Sequence, residues 1–253
     1  MTAIAPMLRV EDLDVLFPAR RGKDVHAVKQ VSLEITRGQS LGLVGESGCG
    51  KTTLSRAILG LIPYTGRVEL EGEAVDWRRG GRELRRRIQL IFQDPYASLN
   101  PRFTVQQTLE EPLWVHFRLG RTERRERVRR MLDRVELAPG ALGKYPHEFS
   151  GGQRQRIAIA RALILEPDFV IADEPVSALD VSIQAQILNL LRDMKEELGL
   201  TMLFISHDLA VVRHVVDRVA VMVGGEIVEE GEARRVLKEP AHPYTRRLLD
   251  AAL

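Results

Sequence analysis

The stretch Gly45-Glu46-Ser47-Gly48-Cys49-Gly50-Lys51-Thr52-Thr53 constrains the fold of this chain more than any other. It follows an apolar run from Leu41 to Val44 and precedes a helical pattern carrying Leu54, Ala57, Ile58 and Leu61. A strand, a loop of the form G-x-x-x-x-G-K-[ST] and a helix, in that order, make a phosphate-binding loop. The glycines let backbone N–H groups curl around phosphate oxygens where a side chain would collide. The N-terminus of the following helix adds partial positive charge aimed at the same anion. Lys51 is then expected to reach the β- and γ-phosphates, and the Thr52 hydroxyl to ligate Mg²⁺. A plain glycine-rich turn explains the glycines but not the Lys-Thr pair in register behind them. The pattern implies a nucleoside triphosphate.

At 253 residues the chain has room for one large core with a smaller attached lobe, or for two modest domains. Its 37 basic and 35 acidic residues leave a net charge of +2, and no nucleic-acid partner is expected from so mild an excess. The lone cysteine, Cys49, excludes an internal disulfide and a paired-cysteine metal motif, and suits a reducing compartment. A reactive thiol is the sharper reading of Cys49; a small residue filling a tight loop is the preferred one. Met1 to Asp14 shows no basic segment followed by an apolar one, so no signal peptide is expected. No window approaches the roughly 18–20 uninterrupted apolar residues that span a bilayer. These features predict a soluble cytoplasmic protein that reaches a membrane only through a partner.

Leu8-Arg9-Val10, Leu13 to Phe17 and the alternating Val31 to Ile35 read as short strands, with Pro18 and Gly22 as breaks. With Gly66 to Gly72 they predict an antiparallel β lobe. Phe17 is placed either to stack on an adenine ring or to fill the strand's core face, and spacing leaves both open. The arginine-rich stretch from Trp77 to Arg87 reads as a solvated helix face leading into the strand Ile88 to Phe92. Gln93, at that strand's end, is positioned for Mg²⁺ or the attacking water. Thr104 to Leu119, and the stripe of Val128, Met131, Leu132 and Val135, carry helical spacing amid many arginines. They predict an inserted helical lobe.

Phe169 to Glu174 is a short apolar strand ending in two acids. Asp173 suits Mg²⁺ coordination, and Glu174, one residue on, suits deprotonation of the attacking water. His207 follows the strand Thr201 to Ile205, at the rim where parallel sheets bind ligands. It is positioned to contact the γ-phosphate. Ser150, Gly151, Gly152 and Gln153 open a helix running to Leu165, with Ser150 as its cap. A second anion-ready helix start in a chain that already has its phosphate loop points to a phosphate held by a partner.

Together these residues resemble the ATPase subunit of ABC transporters. Gly45–Thr52 resembles its Walker A loop, Phe169–Glu174 its Walker B strand and Ser150–Gln153 its signature motif. Gln93 matches its Q-loop, Ser177-Ala178-Leu179-Asp180 its D-loop, His207 its switch histidine, and Phe17 its adenine-stacking aromatic. Phe149 stands where Leu is usual, and Val176 where Thr is usual; neither removes a group that the chemistry needs. Closer still, Phe92 to Arg102, Tyr145 to Glu148 and His242 to Leu249 look like the oligopeptide/dipeptide and nickel importer branch. The resemblance implies an α/β P-loop NTPase core with a mixed, mainly parallel sheet, a flanking antiparallel β lobe and an inserted helical lobe. A single nucleotide-binding domain would then divide into a core at about 1–93 and 155–253, with the helical lobe at about 94–154. It further implies ATP and Mg²⁺ as cofactors, with nucleotide contacts from Phe17, Gly45, Glu46, Ser47, Gly48, Cys49, Gly50, Lys51, Thr52, Thr53, Ser150, Gly151, Gly152, Gln153 and Asp180. Thr52, Gln93 and Asp173 would face the metal, and Glu174, His207, Gln93 and Lys51 would act in hydrolysis. The implied partners are two permeases, a second ATPase subunit (a sibling chain in preference to a second copy) and, indirectly, an extracytoplasmic binding protein. ATP would be sandwiched between the Lys51 loop of one subunit and Ser150–Gln153 of the other, at the cytoplasmic face of the membrane. The expected role is to power import of di- or oligopeptides, with nickel or metal chelates as the alternative cargo. A soluble ABC protein without permeases is the competing class; against it, the chain shows neither sustained heptads nor a second phosphate loop. A small-molecule P-loop kinase leaves Ser150–Gln153 and the Gln93 lobe unexplained.

Overall fold

Alternation alone divides the N-terminal strands too finely. In the computed structural model, which describes residues 6–19 and 23–251, β1 runs unbroken over Leu8–Phe17 and β2 over Val25–Ile35. Asp12 and Gln30 both take φ 46°, and the register of the pair shifts between Val10 and Leu13 and on both sides of Val15. Each bulge resets which face a side chain points to while the ladder continues. The displaced donors remain paired: Asp12 N–H donates to Ser32 Oγ and Gln30 N–H to Asp14 Oδ2, both at 2.9 Å. Gly22, expected to break this pair, lies outside the described residues.

β3 (Ser40–Val44), α1 (Lys51–Ile58), β4 (Thr65–Leu70) and β5 (Glu73–Ala74) follow. β1 pairs antiparallel with both β2 and β4, and β5 extends β4, giving the antiparallel sheet β2-β1-β4-β5. α1 is shorter than its apolar pattern predicts. It ends at Ile58, Gly60 turns at φ 63°, and Leu61 is left 57% exposed rather than on the helix's buried face.

The next stretch forms a compact unit of its own, Gly81–Leu200. It comprises α2 (Gly81–Arg87), β6 (Ile88–Ile91), α3 (Pro95–Ser98), α4 (Val105–His116), α5 (Arg121–Arg134), α6 (Gly151–Leu163), β7 (Phe169–Asp173) and α7 (Val181–Leu198). β6 and β7 pair in parallel, Ile88 opposite Phe169 through Ile91 opposite Ala172. A reciprocal cap starts α4: Thr104 Oγ1 accepts from Gln107 N–H, and Gln107 Oε1 from Thr104 N–H. On α5 the stripe of Val128, Met131 and Leu132 is buried, with Val135 just beyond it, while Arg125, Arg129 and Arg130 face solvent.

The other unit, Met1–Gly80 with Thr201–Leu253, is completed by β8 (Thr201–Ser206), α8 (Leu209–Val215), β9 (Arg218–Val223), β10 (Glu226–Glu232), α9 (Ala233–Lys238) and α10 (Pro243–Asp250). β3 lies between β8 and β9, parallel to both, and β10 closes the edge antiparallel to β9. Every residue of β3 and β8 is buried, which is why these strands read as unbroken apolar runs. Among the described residues no helix is long and apolar enough to cross a membrane.

Candidate functional site

The loop after β3 is shaped by close approaches that only glycine permits. At Gly50 (φ 113°) a Cβ would lie 2.3 Å from the Ala27 carbonyl oxygen, and at Gly45 (φ 154°) 2.1 Å from that of Met222. The loop is therefore wrapped against β2 and β9. The β9–β10 turn closes the wrap: Gly225 N–H donates to Cys49 O at 3.0 Å, and Lys29 N–H donates to Gly225 O at 2.9 Å. Cys49 is buried and fills the space beside Gly45, where a Cβ would come within 2.8 Å of its sulfur. The tight-loop reading of Cys49 accounts for it.

Lys51 is only 5% exposed. Its ammonium donates to Gly45 O at 2.7 Å and Glu46 O at 2.9 Å, with Cys49 Sγ at 3.7 Å. Among the described residues no carboxylate pairs with it. A buried cation served by two carbonyl dipoles and a thiol is costly in the protein alone and complementary to an incoming polyanion. That donor set, on a loop with Gly48 at φ 81° and open space beside it, fits a nucleotide's phosphates. Thr52 and Thr53 follow on the first turn of α1, half-buried.

His207 belongs to the same end of the same sheet. Val44 of β3 sits opposite Ser206 of β8, so the Gly45 loop and His207 leave adjacent strands side by side. Ser206 Oγ accepts from Asp208 N–H at 3.0 Å, and Asp208 Oδ1 caps α8 by accepting from Ala210 N–H at 2.8 Å. This fixes the turn that presents His207 to solvent. Phe17 stands at the end of β1, 41% exposed and opposite Val25. Of the two placements left open by spacing, it does not take the core one.

The residues of the other unit form their own constellation. Asp173 ends β7 and is 8% exposed. Glu174 follows at φ 46°, a left-handed conformation that costs a non-glycine residue about 1 kcal/mol or more. Ser177 stabilises it, donating from Oγ at 3.1 Å and from N–H at 3.2 Å to Glu174 O. Gln93 Nε2 donates to Glu174 Oε2 at 3.0 Å. Two positions selected separately from the sequence thus meet directly.

Ser150 caps α6 as expected. Its Oγ accepts from Gln153 N–H at 3.4 Å, and Gln153 Oε1 accepts from Ser150 N–H at 3.1 Å. Gly152 has a packing role that the sequence did not disclose, since a Cβ there would fall 2.5 Å from Ile183 Cγ2 on α7. The close crossing of α6 and α7 brings Asp180 into the same neighbourhood as Gly151 and Gly152. Asp180 caps α7, accepting from Ile183 N–H at 3.0 Å and Ser182 Oγ at 2.7 Å. The Ser182 hydroxyl foremost, and then the Ile183 N–H, hold its carboxyl below the ordinary aspartate value.

The affiliation is decided by residues 28–177, which match the family model described as ABC transporter. The chain belongs to the ABC transporter family. It is 51% identical over 261 residues to the oligopeptide transport ATP-binding protein OppF of Salmonella typhimurium strain LT2, covering 97% of this chain and 77% of that protein. It is 53% identical over 249 residues to a putative peptide import ATP-binding protein of Brucella abortus strain 2308, covering 97% of this chain and 78% of that protein. Against the glutathione import ATP-binding protein GsiA of Pectobacterium atrosepticum it is 52% identical and spans 41% of that protein's length. Among solved structures, CbiO1 of Clostridium perfringens, part of an ABC transporter complex, superposes with a TM-score of 0.82 at 32% identity over 93% of this chain and 92% of that one. A dimeric ATP-binding cassette, MJ0796, in a post-hydrolysis state with ADP and Pi, gives 0.80 at 31% identity over 90% of this chain and 99% of that one.

Sequence reasoning missed two contacts made by ABC-branch motifs. Arg154, just after the signature residues, lies over the Tyr96 ring, its Cζ 3.9 Å from the centroid. It also donates to Pro146 O at 2.6 Å and His147 O at 3.2 Å. One arginine thus joins the Phe92–Arg102 and Tyr145–Glu148 segments to α6. The second contact is Tyr244, whose phenol oxygen accepts from Glu46 N–H at 3.2 Å. An arginine in a helix and a tyrosine in a distant tail carry no spacing signal that joins them to these loops.

Proposed function

We propose that this chain is the ATP-hydrolysing subunit of a membrane importer for peptides or peptide-like solutes. The observation that carries the nucleotide half of this reading is the buried Lys51 ammonium, without a carboxylate partner among the described residues, inside a wrapped glycine loop. The cargo class rests on relatives named for oligopeptide, peptide and glutathione import.

Lys51 and the Gly45–Thr53 loop are assigned to the ATP phosphates, Phe17 to the adenine ring, and His207 to the γ-phosphate. Thr52, Gln93 and Asp173 are assigned to Mg²⁺. Thr52 lies in the first turn of α1 and Asp173 is buried at the end of β7, and with Gln93 they offer only oxygen donors, the kind a hard divalent cation takes. Mg²⁺, when bound, supplies charge neutralisation at the β- and γ-phosphates. Glu174 takes the proton of the attacking water, with its carboxylate oriented by Gln93. Ser150–Gln153 and Asp180 serve the nucleotide of a second ATPase subunit, so ATP favours the closed pair by contacts made only there. Two permeases complete the assembly, with this chain peripheral at the cytoplasmic face and an extracytoplasmic binding protein delivering cargo.

Replacing Lys51 with Ala tests the base of the reading. Calorimetric titration with ATP is expected to show affinity reduced by at least tenfold; an unchanged Kd would remove the loop from nucleotide binding. The cargo is tested by uptake of labelled dipeptide, oligopeptide, glutathione or nickel into vesicles holding the whole transporter. ATP-dependent uptake of nickel but no peptide would overturn the cargo class.

A further inference from the structure

The tail segment from His242 to Leu249 was singled out by its sequence, and none of the roles above uses it. In the structure its residues are tied to one another and to β10. Glu229 on β10 accepts from Ala241 N–H at 2.8 Å and from His242 N–H at 3.0 Å. His242 Nδ1 caps α10 by accepting from Tyr244 N–H at 3.2 Å, and Pro243 occupies the first helical position. Arg246 Nε bonds back to Pro240 O at 3.0 Å. The result is a rigid turn that aims one side chain, Tyr244, away from α10 and into the base of the phosphate loop.

Tyr244 is 6% exposed, and its hydroxyl oxygen accepts from Glu46 N–H at 3.2 Å. Glu46 N and Gly45 O belong to the same peptide unit. The other edge of that unit, Gly45 O, accepts from the Lys51 ammonium at 2.7 Å. One peptide plane is therefore held from both sides, by a phenol on one edge and the catalytic-loop lysine on the other. Such a clamp has a physical reason. Gly45 at φ 154° has no side chain to restrict it, and a peptide beside glycine rotates at little cost unless something outside fixes it. Rotation would turn Gly45 O away from Lys51 and leave the buried ammonium short of an acceptor.

We propose that Tyr244 is a positioning residue for the phosphate loop. It fixes the Gly45–Glu46 peptide so that Lys51 is held ready for the β- and γ-phosphates, and it makes α10 part of the nucleotide site. This rests on the reading of Gly45–Thr53 as a nucleoside triphosphate site. Burial, foremost, pushes the Tyr244 hydroxyl above the usual tyrosine range, so the phenol stays neutral at physiological pH.

The test is Tyr244→Phe in the full chain, which removes one oxygen and keeps the ring, compared with Lys51→Ala. Losing one hydrogen bond predicts Kd for ATP and KM raised about two- to tenfold. The melting temperature without nucleotide and kcat at saturating ATP in the assembled transporter are expected to stay near those of the parent. A second measurement needs no variant: amide exchange at Glu46 is expected to be slow in the parent protein. Parent-like Kd in Tyr244→Phe, or fast exchange at Glu46, overturns the role of Tyr244. So does a fall in kcat that tracks a lowered melting temperature, because that is loss of fold rather than loss of positioning. If Lys51→Ala binds ATP normally, the nucleotide reading itself fails, and the two failures are told apart.

Discussion

Glu174 sits in a backbone conformation that ordinary residues avoid, and it is kept there by Ser177 and met by Gln93. Glu71, Glu136 and Glu166 share that left-handed backbone, so it is the meeting with Gln93 that supports the proposed role of Glu174. Glu174→Gln keeps the shape and the Gln93 neighbour but removes the base. Turnover in the assembled transporter is expected to fall ~10²–10⁴-fold with ATP affinity retained. ATPase rates alongside equilibrium binding check this, and near-parent hydrolysis would sink the assignment. At this scale much was legible in advance. Asp173, Glu174 and His207 stand out as candidates because each lies at the end of a readable apolar strand, and Lys51 because it closes the glycine loop that follows one. The Gln93–Glu174 bond was not legible, since nothing in either segment fixes the rotamer that joins them.

Among the elements, helix starts do more than begin helices. Ser150 and Asp180 cap α6 and α7, and the Asp180 carboxylate is held below the ordinary aspartate value of 3.8 by Ser182 and Ile183. A depressed folded pKa contributes stability that is fully present above the unfolded value and lost as pH falls through the folded one. The α7 cap is thus expected to hold at neutral pH and to loosen only below pH 3.8. Following the Ile183 amide resonance with pH checks this; Asp180→Asn, which keeps an acceptor but binds no proton, is expected to flatten the response. Elements with one clean period, such as the α5 stripe, were readable, and Ser150 announced its helix. β1 and β2 were not readable at full length, because the bulges at Asp12 and Gln30 reverse the alternation mid-strand. α1 stopped short of Leu61 because Gly60 enters the left-handed region, which its neighbours' apolar spacing does not reveal.

For the whole molecule, the proposed cycle makes association the output of ATP binding. The Glu174→Gln chain, alone or mixed with the proposed second ATPase subunit, is expected to sediment as a pair with ATP and as single subunits with ADP. Analytical ultracentrifugation checks this. A sedimentation coefficient indifferent to the nucleotide would contradict closure by ATP. The nearly balanced charge, 37 basic against 35 acidic residues, means such pairing is not opposed by strong long-range repulsion.

The 2.5 Å approach at Gly152 has a consequence for inheritance as well as for geometry. Positions 152 and 183 are matched, so a change at one constrains what its descendants tolerate at the other. Gly152→Ala alone is expected to destabilise the chain by about 1–3 kcal/mol through overpacking. Ile183→Val, which shortens the far end of the side chain but keeps Cγ2, is expected to restore little of that stability. Ile183→Ala, which removes Cγ2 itself, is expected to restore part of it. Denaturant melts of the singles and doubles read this directly. If the Gly152→Ala, Ile183→Ala double regains stability but the assembled transporter stays inactive, the glycine answers to two separate selections, one for the seam between helices and one for the phosphate.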